Sequence, residues 1–283
     1  MAILFALISA ACWGVSDFFG GVFSKRHGAW VTTVAVQLGA LAGTAVAVLL
    51  LGGSPTHADW AWGTAAGLGV GAGTAYLYRG LSIGRMGVVA PVSAVGAALV
   101  PVAVGVSTGE RPGASAAIGI AIALPAIWLI ASTEDGTAAA EEGQGGPEST
   151  GFLDGVLAGL GFGVGFACLD RLQPAAELTP LLATQVASLI PVIALALWAR
   201  EPFWPRGHRA WTGFVLGPLG TLANACLLWA VQAGLLSIVA VLVSLYPAVT
   251  VALAAAVLHE RIHRAQAWGL GLAAVAVSLI SLA

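Results

Sequence analysis

The sequence predicts an all-α membrane protein with ten transmembrane helices, built as two inverted five-helix repeats around a central cavity. Only 8% of the 283 residues are charged, against about 25% in an ordinary soluble domain. Ten apolar stretches follow one another along the chain, and a bilayer core about 30 Å thick needs about 20 helical residues to cross it. The second half of the chain also repeats features of the first. A soluble protein with a mean hydropathy of +0.94 would lack the polar surface to cover its core.

Each predicted span is an apolar stretch bounded by turn residues. Short connections rich in glycine and proline, such as residues 52–55 and 202–205, join most of them. The first span has no basic region before it, so we expect it to be retained and not removed as a signal peptide. The predicted spans are residues 2–22, 30–51, 60–82, 86–107, 114–132, 152–170, 179–199, 210–232, 235–258 and 265–283.

One connection differs from the others in length and composition. Residues 133–151 contain five acidic residues, no basic residue and many glycines. Such a segment cannot bury apolar area, so we expect a disordered linker. The chain then divides into a first repeat at residues 1–132 and a second at residues 152–283.

The two halves resemble each other when the sequence is shifted by 150 positions. Gly63 then falls on Gly213. The same shift places Glu110-Arg111 on Glu260-Arg261, and this match carries most weight because charged residues are scarce. Five spans per half is an odd number, so the second half is expected to enter the membrane in the opposite sense. Inverted repeats of this kind enclose ligand sites near the membrane midplane.

Short motifs at corresponding places in the halves resemble a known family. Residues 12–14 read Cys-Trp-Gly, residues 109–112 read Gly-Glu-Arg-Pro, residues 245–248 read Leu-Tyr-Pro-Ala, and residues 259–261 read His-Glu-Arg. The chain is similar in these motifs to the EamA-like branch of the drug/metabolite transporter superfamily. The resemblance implies ten helices around a central cavity and export of a metabolite or drug.

Composition argues against several other classes of site. A net charge of −2 leaves no basic surface for nucleic acid. Three cysteines, Cys12, Cys168 and Cys226, fall inside apolar spans and suit small buried side chains. All five histidines lie in connections, and no glycine-rich nucleotide loop is present. We therefore expect no metal and no cofactor, with a small-molecule substrate and the lipid bilayer as the partners.

Asp17 is the only acidic residue deep within a predicted span, one helical turn after Trp13. A charged carboxylate there costs about 3 kcal/mol on insertion scales. One interpretation is a cavity residue that binds a cationic or amine group, or that carries a proton coupled to transport. The alternative is a carboxylate near the span end that reaches Lys25 or Arg26.

Other polar and aromatic side chains within spans are candidates for binding a substrate. Gln37 and Gln185 lie at nearly equivalent positions of the two repeats, where amides suit a polar ligand or hydrogen bonds between helices equally well. The aromatic candidates have the alternative of facing lipid or the core. The predicted substrate-binding residues are Trp13, Asp17, Gln37, Tyr76, Tyr78, Gln185, Asn224 and Trp229.

We expect the glycines, prolines and turn pairs to shape and pack the helices. Four-residue glycine ladders, such as Gly63 and Gly67, predict close helix packing. Pro91 and the Tyr246-Pro247 pair are expected to kink spans and to act in gating. The turn pairs Glu110-Arg111 and Glu260-Arg261 are expected to be structural, with each carboxylate near a helix start and each arginine at the interface.

Together these features predict a secondary transporter, expected to be an exporter. The expected substrate is a small metabolite such as an amino acid or a related compound, moved by alternating access as the halves rock, with Asp17 available for proton coupling. The expected location is the inner cell membrane, as a multi-pass monomer. The alternatives are a non-transporting membrane scaffold or sensor, and an intramembrane enzyme. They would need a sizeable soluble domain or a cluster of catalytic side chains.

Overall fold

A computed structural model describes residues 1–83, 86–131, 151–259 and 261–282 of the chain, and every described α-helix runs close to a predicted span. The predicted linker, apart from Gly151, lies outside these residues. The first-half helices are α1 (Ala2–His27), α2 (Ala29–Leu51), α3 (His57–Ile83), α4 (Met86–Ser107) and α5 (Ala114–Ala131). The second-half helices are α6 (Phe152–Leu169), α7 (Pro180–Trp198), α8 (Gly217–Ala233), α9 (Leu236–Val243), α10 (Tyr246–Val257) and α11 (Arg264–Ser281).

The described residues contain nine segments long and apolar enough to cross a membrane. Helix α3 has the length but is not among them, because its glycines and its polar first turn make it less apolar. Two second-half spans are less regular than predicted. The eighth begins as a 3₁₀ helix at His208–Leu216 before it becomes α8, and the ninth is broken between α9 and α10.

Local sequence explains where the helices begin and end. Gly28 and Gly52 end α1 and α2 with φ angles of 89° and 74°, a backbone conformation that glycine adopts without strain. Pro180 begins α7, where a missing backbone N–H costs nothing. Asp59 lies in the first turn of α3 and accepts hydrogen bonds from the backbone and hydroxyl of Thr56 at 2.8 and 2.7 Å.

Most of the packing joins helices of different halves. Helix α3 packs against α6 and α7, and α4 packs against α6. Helix α8 packs against α1 and α2, and α1 also contacts α9 and α10. Helix α5 packs against α11. The halves are therefore interleaved around the centre of the bundle.

The predicted glycine ladders form these close contacts. A Cβ at Gly63, Gly67 or Gly71 would lie within 2.5 Å of a backbone oxygen of α7. On α8, a Cβ at Gly217 would meet the backbone of Gly39 at 2.0 Å. Side-chain hydroxyls add hydrogen bonds at the same interfaces, since Thr184 donates to the Gly63 carbonyl at 2.9 Å. The packing interpretation of the ladders is confirmed.

Contacts between connections define two ends of the bundle. At the first end, Ser54 N–H donates to the Ala175 carbonyl at 2.8 Å, and Gln173 N–H donates to Asp59 at 2.9 Å. Burial alone would raise the pKa of the Asp59 carboxyl, but these hydrogen bonds, with those from Thr56, hold it below its ordinary value. At the second end, Arg79 near the end of α3 lies 3.4 Å from Asp154 in the first turn of α6.

Candidate functional site

A cavity of about 170 Å³ lies in the centre of the bundle. Helices of both halves line it, and its wall mixes polar and aromatic side chains with small residues that leave space. The residues that line the cavity are Trp13, Ser16, Asp17, Gly20, Thr32, Thr33, Val36, Gln37, Ala40, Val70, Thr74, Leu77, Tyr78, Ala97, Phe162, Phe166, Thr184, Gln185, Gly220, Asn224, Val243 and Tyr246.

Asp17 lies on the cavity wall, and its side chain is exposed. Its carboxylate interacts electrostatically with the phenols of Tyr78 and Tyr246. Arg26 is exposed and forms no ion pair with Asp17 among the described residues, whereas the Lys25 side chain lies outside the description. An acidic group in a membrane cavity is a position at which a cation or a proton can bind.

The two glutamines differ in their hydrogen bonding although both line the cavity. The Ser188 hydroxyl donates to Gln37 Oε1 at 2.6 Å, which joins α2 to α7. Gln185 is only 5% exposed, and its Nε2 has no partner among the described residues. At the same 148-residue spacing, Ala40 is the first-half position that corresponds to Ser188. Because alanine has no hydroxyl, it cannot give Gln185 the hydrogen bond that Ser188 gives Gln37. Gln37 therefore joins helices, and Gln185 keeps a free donor.

Aromatic side chains form much of the wall around these polar groups. The Tyr78 hydroxyl hydrogen bonds with Thr33, and its ring packs 6.2 Å from the Trp30 ring. Trp13 Nε1 is buried and, among the described groups, has no hydrogen-bond partner. Buried donors normally find an acceptor, so an unpaired one at a cavity marks a position for a ligand.

Two predicted binding residues do not line the cavity. Tyr76 lies on the opposite face of α3 from Thr74 and Tyr78, because a two-residue step rotates a helical position by about 200°. Trp229 packs 5.6 Å from the Phe5 ring, nearer the end of α8. The other predicted residue of α8, Asn224, does line the cavity.

The predicted kink at Tyr246-Pro247 coincides with the break between α9 and α10. Pro247 lies in the first turn of α10. Because proline has no backbone N–H, it cannot donate a hydrogen bond to a carbonyl of α9. Val243 and Tyr246, on the two sides of the break, both line the cavity. Pro91 lies within α4, which continues past it. The broken helix is thus the backbone feature that reaches the site.

The Glu110 carboxylate binds a helix of the other half. Its Oε1 and Oε2 accept N–H bonds from Leu236 at 2.6 Å and Ser237 at 3.0 Å, the first residues of α9. The expectation that a turn carboxylate lies near a helix start holds for Glu110, but the helix is α9 and not the following α5. Arg111 and Arg261 are exposed, and Glu260 lies outside the described residues.

Sequence reasoning missed several lining residues. Phe162 and Phe166 are separated by one turn of α6 and present two rings to the cavity, a spacing that the sequence displays. Ser16 and Thr184 also line the cavity but carry no comparable signal, because hydroxyls are common throughout apolar helices. The described residues contain no group of three His, Cys, Asp or Glu side chains that could hold a metal.

Residues 149–282 match the model of the EamA-like transporter family. The match covers just under half of the chain, and it identifies the second half as similar to this family. This match is consistent with the drug/metabolite transporter superfamily, whose members of the EamA type are transporters and not enzymes. With its many apolar helices, the EamA-like chain is an integral multi-pass membrane protein of the drug/metabolite transporter type.

Structure comparison extends the likeness in fold to the whole chain. A solved structure titled "Crystal structure of protein" superposes with a TM-score of 0.75, covering 99% of this chain and 96% of its own at 17% identity. That identity shows a shared fold alone. The curated proteins searched include no match to the EamA-like chain.

Proposed function

We propose that the protein is a secondary transporter that exports a small metabolite, in the size range of an amino acid or a related compound, by alternating access. The observation that carries this proposal is the central cavity, with a carboxylate, three amides and aromatic rings on its wall. Polar side chains within a membrane bundle are retained where they face a water-filled path or a ligand.

The arrangement of the ends supports inverted repeats at residues 1–132 and 152–283. Ala2, where α1 begins, lies 2.6 Å from a Cβ built at Gly234, at the first end of the bundle. Asp154, where α6 begins, pairs with Arg79 at the second end. The two halves therefore start from opposite ends.

The glycine contacts support the same relation. The ladder at 63, 67 and 71 on α3 packs against α7. Position 213 in the 3₁₀ helix and positions 217 and 221 on α8 pack against α2. These positions correspond under the 150-residue shift. A twofold relation that exchanges the halves accounts for both interfaces.

Asp17 is the group that we assign to coupling between a proton and the substrate. It is the one carboxylate among the described lining residues, so proton and cationic substrate would compete for the same oxygen atoms. We further propose a monomer in the inner cell membrane.

The test is transport by the purified full chain in proteoliposomes, with a panel of labelled metabolites and with or without an imposed pH gradient. We expect gradient-driven accumulation of a panel member by the wild type and its loss in Asp17→Asn. Glu201→Gln, at an exposed turn, is the control that should transport normally. Accumulation by Asp17→Asn equal to wild type under the gradient would remove Asp17 from the coupling mechanism.

A further inference from the structure

The described residues of the cavity wall include one charged group. Asp17 is the only aspartate or glutamate among the described lining residues, and none of those residues is Lys, Arg or His. Within the described part of the chain no ion pair neutralises it. A ligand that enters the cavity therefore meets a net negative wall, which favours a cation and disfavours an anion.

The nearest arginine in sequence on a lining helix is engaged elsewhere. Arg79 follows Tyr78 on α3, but it lies 3.4 Å from Asp154 and 5.1 Å from the centre of the Trp198 ring. An arginine held by a carboxylate and an aromatic face has its charge directed to those partners. Its position gives no cationic contact for a ligand carboxylate on the cavity wall.

Besides Asp17, the described part of the wall contains two neutral hydrogen-bond donors without an acceptor. Gln185 Nε2 and Trp13 Nε1 are both buried, and neither finds an acceptor among the described groups. Gln185 is 95% enclosed by protein and still lines the cavity. Leaving such donors unpaired is costly, and an acceptor atom on a bound ligand satisfies them.

The broken helix does not supply the missing positive charge. Helix α9 ends at Val243 and α10 begins at Tyr246, so the negative end of one half-helix lies beside the positive end of the next. Their partial charges largely offset each other at this place. A ligand carboxylate would meet only neutral donors in the same small cavity as Asp17.

We propose that the cavity selects a small primary amine that carries an uncharged hydrogen-bond acceptor, such as an amino acid amide, over the zwitterionic amino acid. The ammonium group binds Asp17 among the rings of Trp13, Tyr78 and Tyr246, and the neutral carbonyl accepts from Gln185 and Trp13. This inference rests on the proposed transport function and names the substrate class of that same site.

The volume limits the size of the ligand. The cavity measures about 170 Å³, and an apolar cavity of about 150 Å³ accommodates benzene. A compound with a short branched side chain is therefore a suitable probe. Valinamide has both recognised groups, valine is the zwitterion, isobutylamine lacks the carbonyl, and isovaleramide lacks the ammonium group.

The experiment is calorimetric titration of the full chain in detergent with these four probes. Isobutylamine and isovaleramide each lose a hydrogen bond to a charged or buried partner, and the carboxylate of valine is repelled by Asp17. Valinamide should therefore bind about tenfold or more tightly than each of the other three. Valine binding as tightly as valinamide would overturn the inference, as would failure of valinamide to bind at millimolar concentration.

Variants test the roles of Asp17 and Gln185 separately. Asp17→Asn should remove the preference for valinamide over isovaleramide, and Asp17→Glu should restore it. Gln185→Leu should remove the preference over isobutylamine. Gln232→Leu is the matched control, because Gln232 Nε2 is also buried without a described partner but lies outside the cavity wall. Equal effects of the two leucine variants would overturn the assignment of Gln185.

The same preparations separate this inference from transport itself. Uptake of valine into proteoliposomes without any preference for valinamide would overturn the inference and leave the transport function intact. Tight binding of valinamide without uptake of any probe would support the inference and count against transport.

Discussion

A methyl group added at Gly67 is expected to separate α3 from α7. The new Cβ would lie 2.3 Å from the Thr184 carbonyl oxygen and 2.8 Å from the Ala187 Cβ. Helical backbone cannot move aside locally, so the helices would have to part by about 1 Å to restore van der Waals distance. That shift would stretch the hydrogen bond from Thr184 Oγ1 to the Gly63 carbonyl, which is 2.9 Å long, beyond useful geometry.

The expected magnitude combines three effects. Overpacking costs about 1–3 kcal/mol, and the weakened hydrogen bond costs about 0.6 kcal/mol in a membrane protein. Alanine in place of glycine in a helix returns about 1 kcal/mol. The net loss for Gly67→Ala is about 2 kcal/mol, which corresponds to a fall of about 4–8 °C in the unfolding temperature.

The assay is thermal unfolding in detergent followed by tryptophan fluorescence. Gly21→Ala on α1 is the matched control, because no atom lies within 4 Å of a Cβ built there. This variant should unfold at or slightly above the wild-type temperature. If Gly67→Ala were as stable as Gly21→Ala, the interface between α3 and α7 would not depend on glycine and the packing argument would fail.

Three further predictions concern the ends of the bundle. Glu110→Gln should lower the unfolding temperature by about 3–6 °C, because a charged helix cap bound to two N–H groups is weakened, while Glu201→Gln should not change it. The Asp59 carboxyl has a pKa below its ordinary 3.8, so its contribution to stability is complete above that value and is lost as pH falls through the lowered pKa. Asp59→Asn should therefore reduce the stability of the chain at neutral pH more than at very low pH, and a pH-independent difference in unfolding would contradict this. Reporter fusions inserted after Gly143 and placed after Ala283 should lie on opposite sides of the membrane, and finding both on one side would rule out the ten-span arrangement.

Composition alone predicted the helices well. The observed α2 and α4, at Ala29–Leu51 and Met86–Ser107, agree with the predicted spans within one residue, because apolar length and turn residues determine where a chain enters and leaves lipid. The break before Tyr246 is visible in sequence only as a proline. A proline at this place is compatible with a helix that continues, as at Pro91, or with a complete interruption, and the neighbouring helices decide which occurs.

The site was less predictable because it depends on how the helices face one another. Asp17 stands out in any apolar span, and the structure places it on the cavity wall. Tyr76 and Tyr78 are equally plausible from sequence, yet only one faces inward, because rotation of α3 is set by its glycine contacts with α6 and α7. The partner of Glu110 lies 126 residues away in α9, and no local pattern identifies it.

The packing also bears on which parts of the chain would move in the proposed alternating access. Rocking of residues 1–132 against 152–283 would pull α3 away from α6 and α7, where glycine contacts bring backbones together. Such interfaces are close-packed and resist gradual separation. We therefore expect two moving bundles that each mix both halves, one of α3, α4, α6 and α7 and the other of α1, α2, α8 and α10, with α9 in contact with both α4 and α1. The cavity lies between these bundles, and the cap from Glu110 to α9 links them at the first end, so breaking that cap is expected to accompany opening there.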